Sequence, residues 1–333
     1  MKNMVIGATV VLALGSSASA ADMATQMYKK APPAVEAFNL WDFAFGASVA
    51  SDNVFRGITL SNHGPSASAY FEPRYNVTKD LQLYAGVGAA SISFTNRAAA
   101  EIDGYAGIRP TFGAAAFDFG FWYYGYPGGQ CIDAVQGGSF GVCGVGSGAS
   151  ANLNGNALKK DVSFYEVYAK FSYTFNDYFS LGANAYYSPN VLSSGADGTY
   201  ASITGKAIAP SAWFGSSGIG MYVSGEFGRQ WLGTTDGFYS HALGLGGGGI
   251  KYADYNTWNV GIGFTYKVFT LDFRYTDTDL SKGNCNAFTG DYTSAASGPY
   301  VTAINPSGGG SNWCGATGIV KFSADLTAMQ NLK

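Results

Sequence analysis

Ionised side chains are scarce in this sequence. Asp, Glu, Lys and Arg make up 12% of its 333 residues, against about 25% in ordinary soluble domains. A large soluble domain with so few charges would struggle to stay dispersed. The net charge of −3 gives no reason to expect a nucleic acid as partner. Long apolar runs are missing as well. After a short stretch from Val5 to Leu14, none approaches the ~20 residues that a membrane-spanning helix needs. Histidine occurs only at His63 and His241. Ser61 and Ser240 lie near them, as chance alone would often place them. The four cysteines form no Cys-x-x-Cys and have no neighbouring histidine, so a metal site is not expected. The Gly246–Gly249 run carries no Lys-Ser/Thr ending and opens no helix, so it is not a phosphate loop. The residues therefore point to no enzyme and no cofactor.

What is present begins with an export signal. Lys2 supplies the positive start, Val5 to Leu14 the apolar core and Ala18-Ser19-Ala20 the small-residue cleavage site. Residues 1–20 are expected to be removed. Residues 21–37, with Lys29-Lys30-Ala31-Pro32-Pro33, read as a periplasmic leader, and residues 38–333 as the folded body. An exported chain meets an oxidising compartment, so its cysteines are expected in disulfides. Four cysteines allow three pairings. Proximity favours Cys131 with Cys143 and Cys285 with Cys314, one bridge in each of two Gly-rich loops.

The dominant pattern is alternation with a period of two. In Trp41-Asp42-Phe43-Ala44-Phe45 and in Phe269-Thr270-Leu271-Asp272-Phe273-Arg274-Tyr275, every odd position is apolar. Successive side chains on a strand point to opposite faces. Such segments are expected near 39–54, 66–77, 80–94, 100–112, 114–126, 161–175, 178–190, 200–213, 219–232, 255–267, 269–279 and 317–328. Every second connector is short, and the others range up to the Cys-bearing loops 127–160 and 280–316. Short turns at one end and long loops at the other, with 16% aromatic residues, are the asymmetry of an outer-membrane barrel. The expected fold is an all-β, transmembrane, antiparallel up-and-down barrel of about twelve strands, with both termini in the periplasm and its site the cell outer membrane.

One face of each segment is apolar and would meet lipid. It carries Trp122-Tyr123-Tyr124, Tyr186-Tyr187, Trp231 and Tyr266 near strand ends, read as interfacial aromatics. The other face holds charges of both signs. Glu72, Arg74, Asp103, Arg109, Glu166, Lys170, Asp272, Arg274, Lys321 and Asp325 are the candidate pore-lining residues, and Lys267 is placed with them on the lumen face. Either they pair and fill the lumen, or they line an aqueous path and set ion preference. About 8 strands enclose only side chains and 16–18 leave a channel, so twelve suggest a narrow or partly obstructed pore. The function expected is passive diffusion of small hydrophilic solutes or ions. The alternative is a pore-less structural or adhesive barrel that displays disulfide-braced loops. The partners expected are outer-membrane lipid, lipopolysaccharide and the barrel-assembly machinery.

Ser51-Asp52-Asn53-Val54-Phe55-Arg56-Gly57-Ile58-Thr59-Leu60-Ser61 resembles the signature S-D-Y-x-F-R-G-I-S-x-S of the TorF-family porins of Gram-negative outer membranes. Asn53 stands where that family often has Tyr, and Thr59 where it often has Ser. Tyr124-Gly125-Tyr126-Pro127-Gly128, Tyr275-Thr276-Asp277-Thr278-Asp279 and Val320-Lys321-Phe322-Ser323 resemble later motifs of the same family, in order. The resemblance implies a barrel in the outer membrane. Barrels of this type usually end on an aromatic residue, whereas this chain runs on to Lys333, with Phe322 as the internal equivalent. Read from the residues themselves, Asp52 and Arg56 are four apart, share a strand face and are expected to pair as an anchor for the first loop. Gly57 would allow the chain to reverse.

Overall fold

The computed structural model describes residues 39–133, 143, 150, 151, 154–295 and 297–332; residues 1–20 and 21–37, the expected signal and leader, lie outside the described residues. Twelve long strands carry the fold. They are β1 (Trp41–Ala50), β4 (Ser66–Thr78), β5 (Leu81–Ser91), β6 (Ala100–Phe112), β7 (Ala115–Gly125), β10 (Phe164–Asn176), β11 (Phe179–Ser188), β12 (Gly198–Ile208), β13 (Ile219–Leu232), β14 (Tyr255–Tyr266), β15 (Phe269–Thr278) and β16 (Thr317–Thr327). Four two-residue strands lie in loops: β2 (Val54–Phe55), β3 (Ile58–Thr59), β8 (Ile132–Asp133) and β9 (Ser150–Ala151). Each long strand pairs antiparallel with the next, and β16 returns to β1 through Val49↔Phe322 and its neighbours to close the barrel. All twelve expected segments appear as strands, with ends shifted by a few residues.

Period-two alternation closes the sheet this way round because one face has no water-compatible groups. Phe71, Val87, Phe119, Phe121, Val167, Phe171, Leu181, Val223, Phe227, Val260 and Phe273 are exposed on the outside of the cylinder. Their alternate neighbours point inward. Tight turns at one end (79–80, 113–114, 177–178 and 267–268) and long loops at the other give the asymmetry expected. Lys267 belongs to one of these turns, with a positive φ of 54°. It is exposed and not on the lumen face, because the strand that would have turned it inward ends at Tyr266.

Three expected interface aromatics are interior residues instead. Tyr124 and Tyr186 are buried, while Tyr123 and Tyr187 beside them are exposed. Trp122 stacks inside on Tyr105 at 4.1 Å. Alternation persists to the strand ends, so only every second aromatic can meet lipid. Inside, several tyrosines lie flat across a glycine of the neighbouring strand. A Cβ on Gly120 would come within 2.5 Å of the Tyr168 hydroxyl. Gly228 and Gly263 stand in the same relation to Tyr200 and Tyr222. Part of the high glycine content thus makes room for rings that project into the lumen.

The loops form a second core above the barrel. Ile58, Leu60, Ile92, Tyr126, Ile132, Leu158, Val162, Tyr239, Ile250, Tyr252 and Trp313 are buried together there. Cys131–Cys143 and Cys285–Cys314 are the two disulfides. The second fastens α1 (Lys282–Thr289) to the far end of its loop. Asn156 and Asn286 exchange side-chain hydrogen bonds of 2.9 and 3.1 Å, and Asn286 donates onward to Asn305 at 2.9 Å. At the turn end, α2 (Ala328–Asn331) follows β16, and its Met329 N–H donates to the inward Asp42 carboxylate at 2.9 Å. No helix among the described residues is long and apolar enough to cross a membrane.

Candidate functional site: a hairpin tongue in the lumen

The first loop does not stay outside. Its β2–β3 hairpin enters the lumen, with Arg56 and Gly57 at the tip in left-handed conformations, φ 48° and 79°. Gly is at ease there and Arg is not. A side chain on Gly57 would also strike Thr257 and Thr278, so the tip lies against the β14–β15 wall. The base of the tongue is organised by Asp52. Its buried carboxylate accepts from the Thr59 hydroxyl at 2.6 Å, the Ser61 hydroxyl at 2.9 Å and His63 Nδ1 at 2.8 Å.

The expected Asp52–Arg56 pair is not formed. Arg56 lies in the turn, where the i, i+4 rule of a strand no longer holds, and it crosses the lumen instead. Its guanidinium donates to both Glu166 oxygens at 2.8 and 2.7 Å, and to Gln230 at 2.9 Å. Tyr124 adds a hydrogen bond to Glu166 at 3.2 Å. The rings of Tyr200, Phe55 and Tyr186 pack around the cation at 4.4, 4.5 and 5.0 Å. Burial alone would favour a neutral guanidine. The Glu166 carboxylate outweighs it and raises Arg56 above its ordinary value, so the latch stays charged. Bidentate geometry and stacked rings are the setting in which Arg is not replaceable by Lys.

Nearer the turn end a second network joins three expected lumen residues. Arg74 donates to Glu72 at 2.6 Å and Arg109 to the same carboxylate at 2.8 Å. Arg109 also reaches Asp118 at 3.2 Å and lies over the Tyr84 ring at 3.6 Å. Tyr84 donates to Asp118 at 2.5 Å, and its hydroxyl meets that of Tyr168. Lys170 faces Asp118 in register and stacks over Tyr168 at 4.4 Å. On the opposite wall Arg274 forms two 3.1 Å contacts to Asp272 and also holds Asn259 and Ser224. Lys321 stands opposite Asp272 in register, and Tyr70 donates to Asp325 at 3.1 Å. The ten candidate residues thus all face inward, in separate groups. Glu166 serves the tongue, and Asp103 lies apart beside Glu101.

Gln230, Tyr200 and Glu101 are absent from the sequence reading, and Tyr124 and Tyr186 enter it as interface aromatics. Extending the alternation from Asp103 or Glu166 would have found Glu101 and Tyr168. Nothing local marks Gln230 as the partner of a residue 174 positions away. The two ring nitrogens of His63 face Asp52 and the Asn312 carbonyl, and the Ser240 hydroxyl donates to the Gly237 carbonyl.

Residues 34–148 match a family described as a bacterial protein of unknown function, Gcw_chp. No curated protein matches the chain. Solved structures are similar to it at low identity and low TM-score. One is in-vitro folded OmpT, an outer membrane protein of Vibrio cholerae, in its trimer form, at 11% identity over 86% of this chain and 98% of that one, TM-score 0.32. The TodX monoaromatic hydrocarbon channel, as a deltaS2 mutant, is 11% identical over 87% and 90%, TM-score 0.37. LpxR from Salmonella typhimurium is 10% identical over 85% and 99%, TM-score 0.36. At such scores their activities carry nothing over to this chain, and the matched family brings no function with it.

Proposed function

We propose that the protein is an outer-membrane barrel of porin type, through which small hydrophilic solutes or ions diffuse passively past a constriction made by the Arg56 tongue. The apolar outer belt supports the membrane, and the sequence start supports export with cleavage after Ala20. Phe322, exposed on the outside of β16, would serve as the internal counterpart of the terminal aromatic that the assembly machinery takes up. The observation that carries the reading is the tongue itself. A hairpin bonded through Arg56 to Glu166 and Gln230 narrows a lumen whose wall is otherwise ionised and hydroxylated. Paired charges gain little over apolar packing in a dry interior, and a hydrated path is where they cost least.

A second reading rests on the loop core. Buried apolar residues above the tongue favour a closed barrel that presents a braced platform at the cell surface. Single-channel recording on the refolded chain separates the two. The first reading expects small discrete steps for the native protein and larger ones for Arg56→Ala. Silence from both, with the barrel shown to be folded by heat-modifiable gel mobility, would overturn it in favour of the platform.

A further inference from the structure

All but two of the buried carboxylates on the barrel strands have an arginine to answer them. Asp42, Glu72, Asp118, Glu166 and Asp272 each have an arginine within ion-pair distance. Glu226 accepts from the Tyr200 hydroxyl at 3.0 Å and lies 3.4 Å from the Asn259 amide. The exception is on β6. Glu101 and Asp103 are two apart on one strand and so share its inner face. They are only 1% and 5% exposed. Neither joins an ion pair among the described residues, and Glu101 Oε1 and Asp103 Oδ1 both lack a hydrogen-bond partner. The polar groups nearest them are the Tyr126 hydroxyl, which donates to Glu101 Oε2 at 2.9 Å, and the Trp122 indole N–H beside Asp103.

The neighbouring elements supply no base. On β5 the residues opposite are Ala90 and Gly88. On β7 the residue opposite Asp103 is Tyr124, whose hydroxyl is spent on Glu166. Glu166 on β10 is a third carboxylate, and the tongue's Arg56 turns both terminal nitrogens to it and to Gln230. The Trp122 indole N–H, on the same face of β7, is buried and approaches Asp103 without a hydrogen bond of good geometry. Two adjacent carboxylates in this setting cannot both be ionised, because an unpaired buried charge costs far more than a protonation.

We propose that Glu101 and Asp103 form a proton-binding site beneath the loop core, occupied by one proton shared between them in the closed barrel. Two unfilled acceptors and one unfilled donor face the same interior, and a proton on one carboxyl supplies the missing donor. The unfolded chain has released that proton at neutral pH and the closed barrel keeps it. The folded state therefore binds more protons, and its stability falls as pH rises. Loss of the proton leaves two like charges under Tyr126, the residue that leads into the Cys131–Cys143 loop and packs on Phe94 at 4.8 Å. The site thus ties loop-end packing to alkaline pH. It holds whether or not solute passes through the lumen.

Infrared spectroscopy of the intact barrel in detergent tests this. A protonated-carboxyl band is expected at neutral pH, shifted by deuterium exchange and absent from the Glu101→Gln/Asp103→Asn variant. Loop proteolysis of the native barrel should quicken several-fold on going from neutral to alkaline pH, and should be flat with pH in Asp103→Asn, which mimics the protonated acid. A band unchanged by the double substitution, or equal pH dependence in both proteins, would overturn the proposal. A site filled by a metal ion instead would show no such band, together with a stability that falls on chelation, and would overturn it equally.

Discussion

Arg56 shows how much of this molecule hangs on one side chain. Its guanidinium is surrounded by rings and bonded to a carboxylate that is itself buried. Removing one partner of such a pair leaves an uncompensated charge and costs about 3–5 kcal/mol, whereas replacing both by apolar groups of similar volume is close to neutral. Glu166→Gln should therefore lower the unfolding free energy of the refolded barrel by about that amount, and the double change Arg56→Met/Glu166→Leu should recover most of it. Denaturant titration in detergent followed by tryptophan emission checks both. Equal losses in single and double variants would mean that the tongue is held by its base at Asp52 and not by its tip. The Asp52–Arg56 pairing suggested by sequence failed for a reason at this same scale. A non-glycine residue at φ 48° is invisible in a sequence, and it turned a strand position into a hairpin tip.

The strands were legible because a single physical demand shapes each of them. One face must be apolar and the other must not, so a period of two runs through all twelve, and the short connectors mark their ends. The tongue and the loop core obey no such period. Ile92, Ile132, Leu158, Ile250 and Trp313 come together from four separate loops, and nothing in their spacing announces it. The two disulfides were foreseeable from proximity alone, since each closes within its own loop. The strand reading makes a depth-dependent prediction. Val260 lies mid-strand on the outer face of β14 and Phe269 at the turn end of β15. Arginine on the lipid face costs about 2–4 kcal/mol at the midplane and about 0–1 near the interface. Val260→Arg should thus destabilise the barrel in lipid vesicles clearly more than Phe269→Arg does. Equal effects would place the outer belt somewhere other than hydrocarbon.

For the whole molecule the two ends differ in kind, and that difference implies an orientation. The loop end has a packed apolar core, two disulfides and a tongue, all of which need an oxidising exterior and a stable platform. The turn end has four tight turns and one longer one, 209–218, from which Trp213 stands 68% exposed. In an outer-membrane barrel the short turns lie in the periplasm and the long loops outside. All the described cysteines are in disulfides, so an introduced thiol reports its own position. Val301→Cys, in the loop that follows β15, should react with a membrane-impermeant maleimide on intact cells. Ser216→Cys, in the 209–218 turn, should react only after the outer membrane is permeabilised. The reverse pattern would invert the barrel and move the tongue to the periplasmic mouth. Equal reaction of both sites on intact cells would remove the membrane from the reading altogether and leave the exposed aromatic belt to be covered by another protein surface.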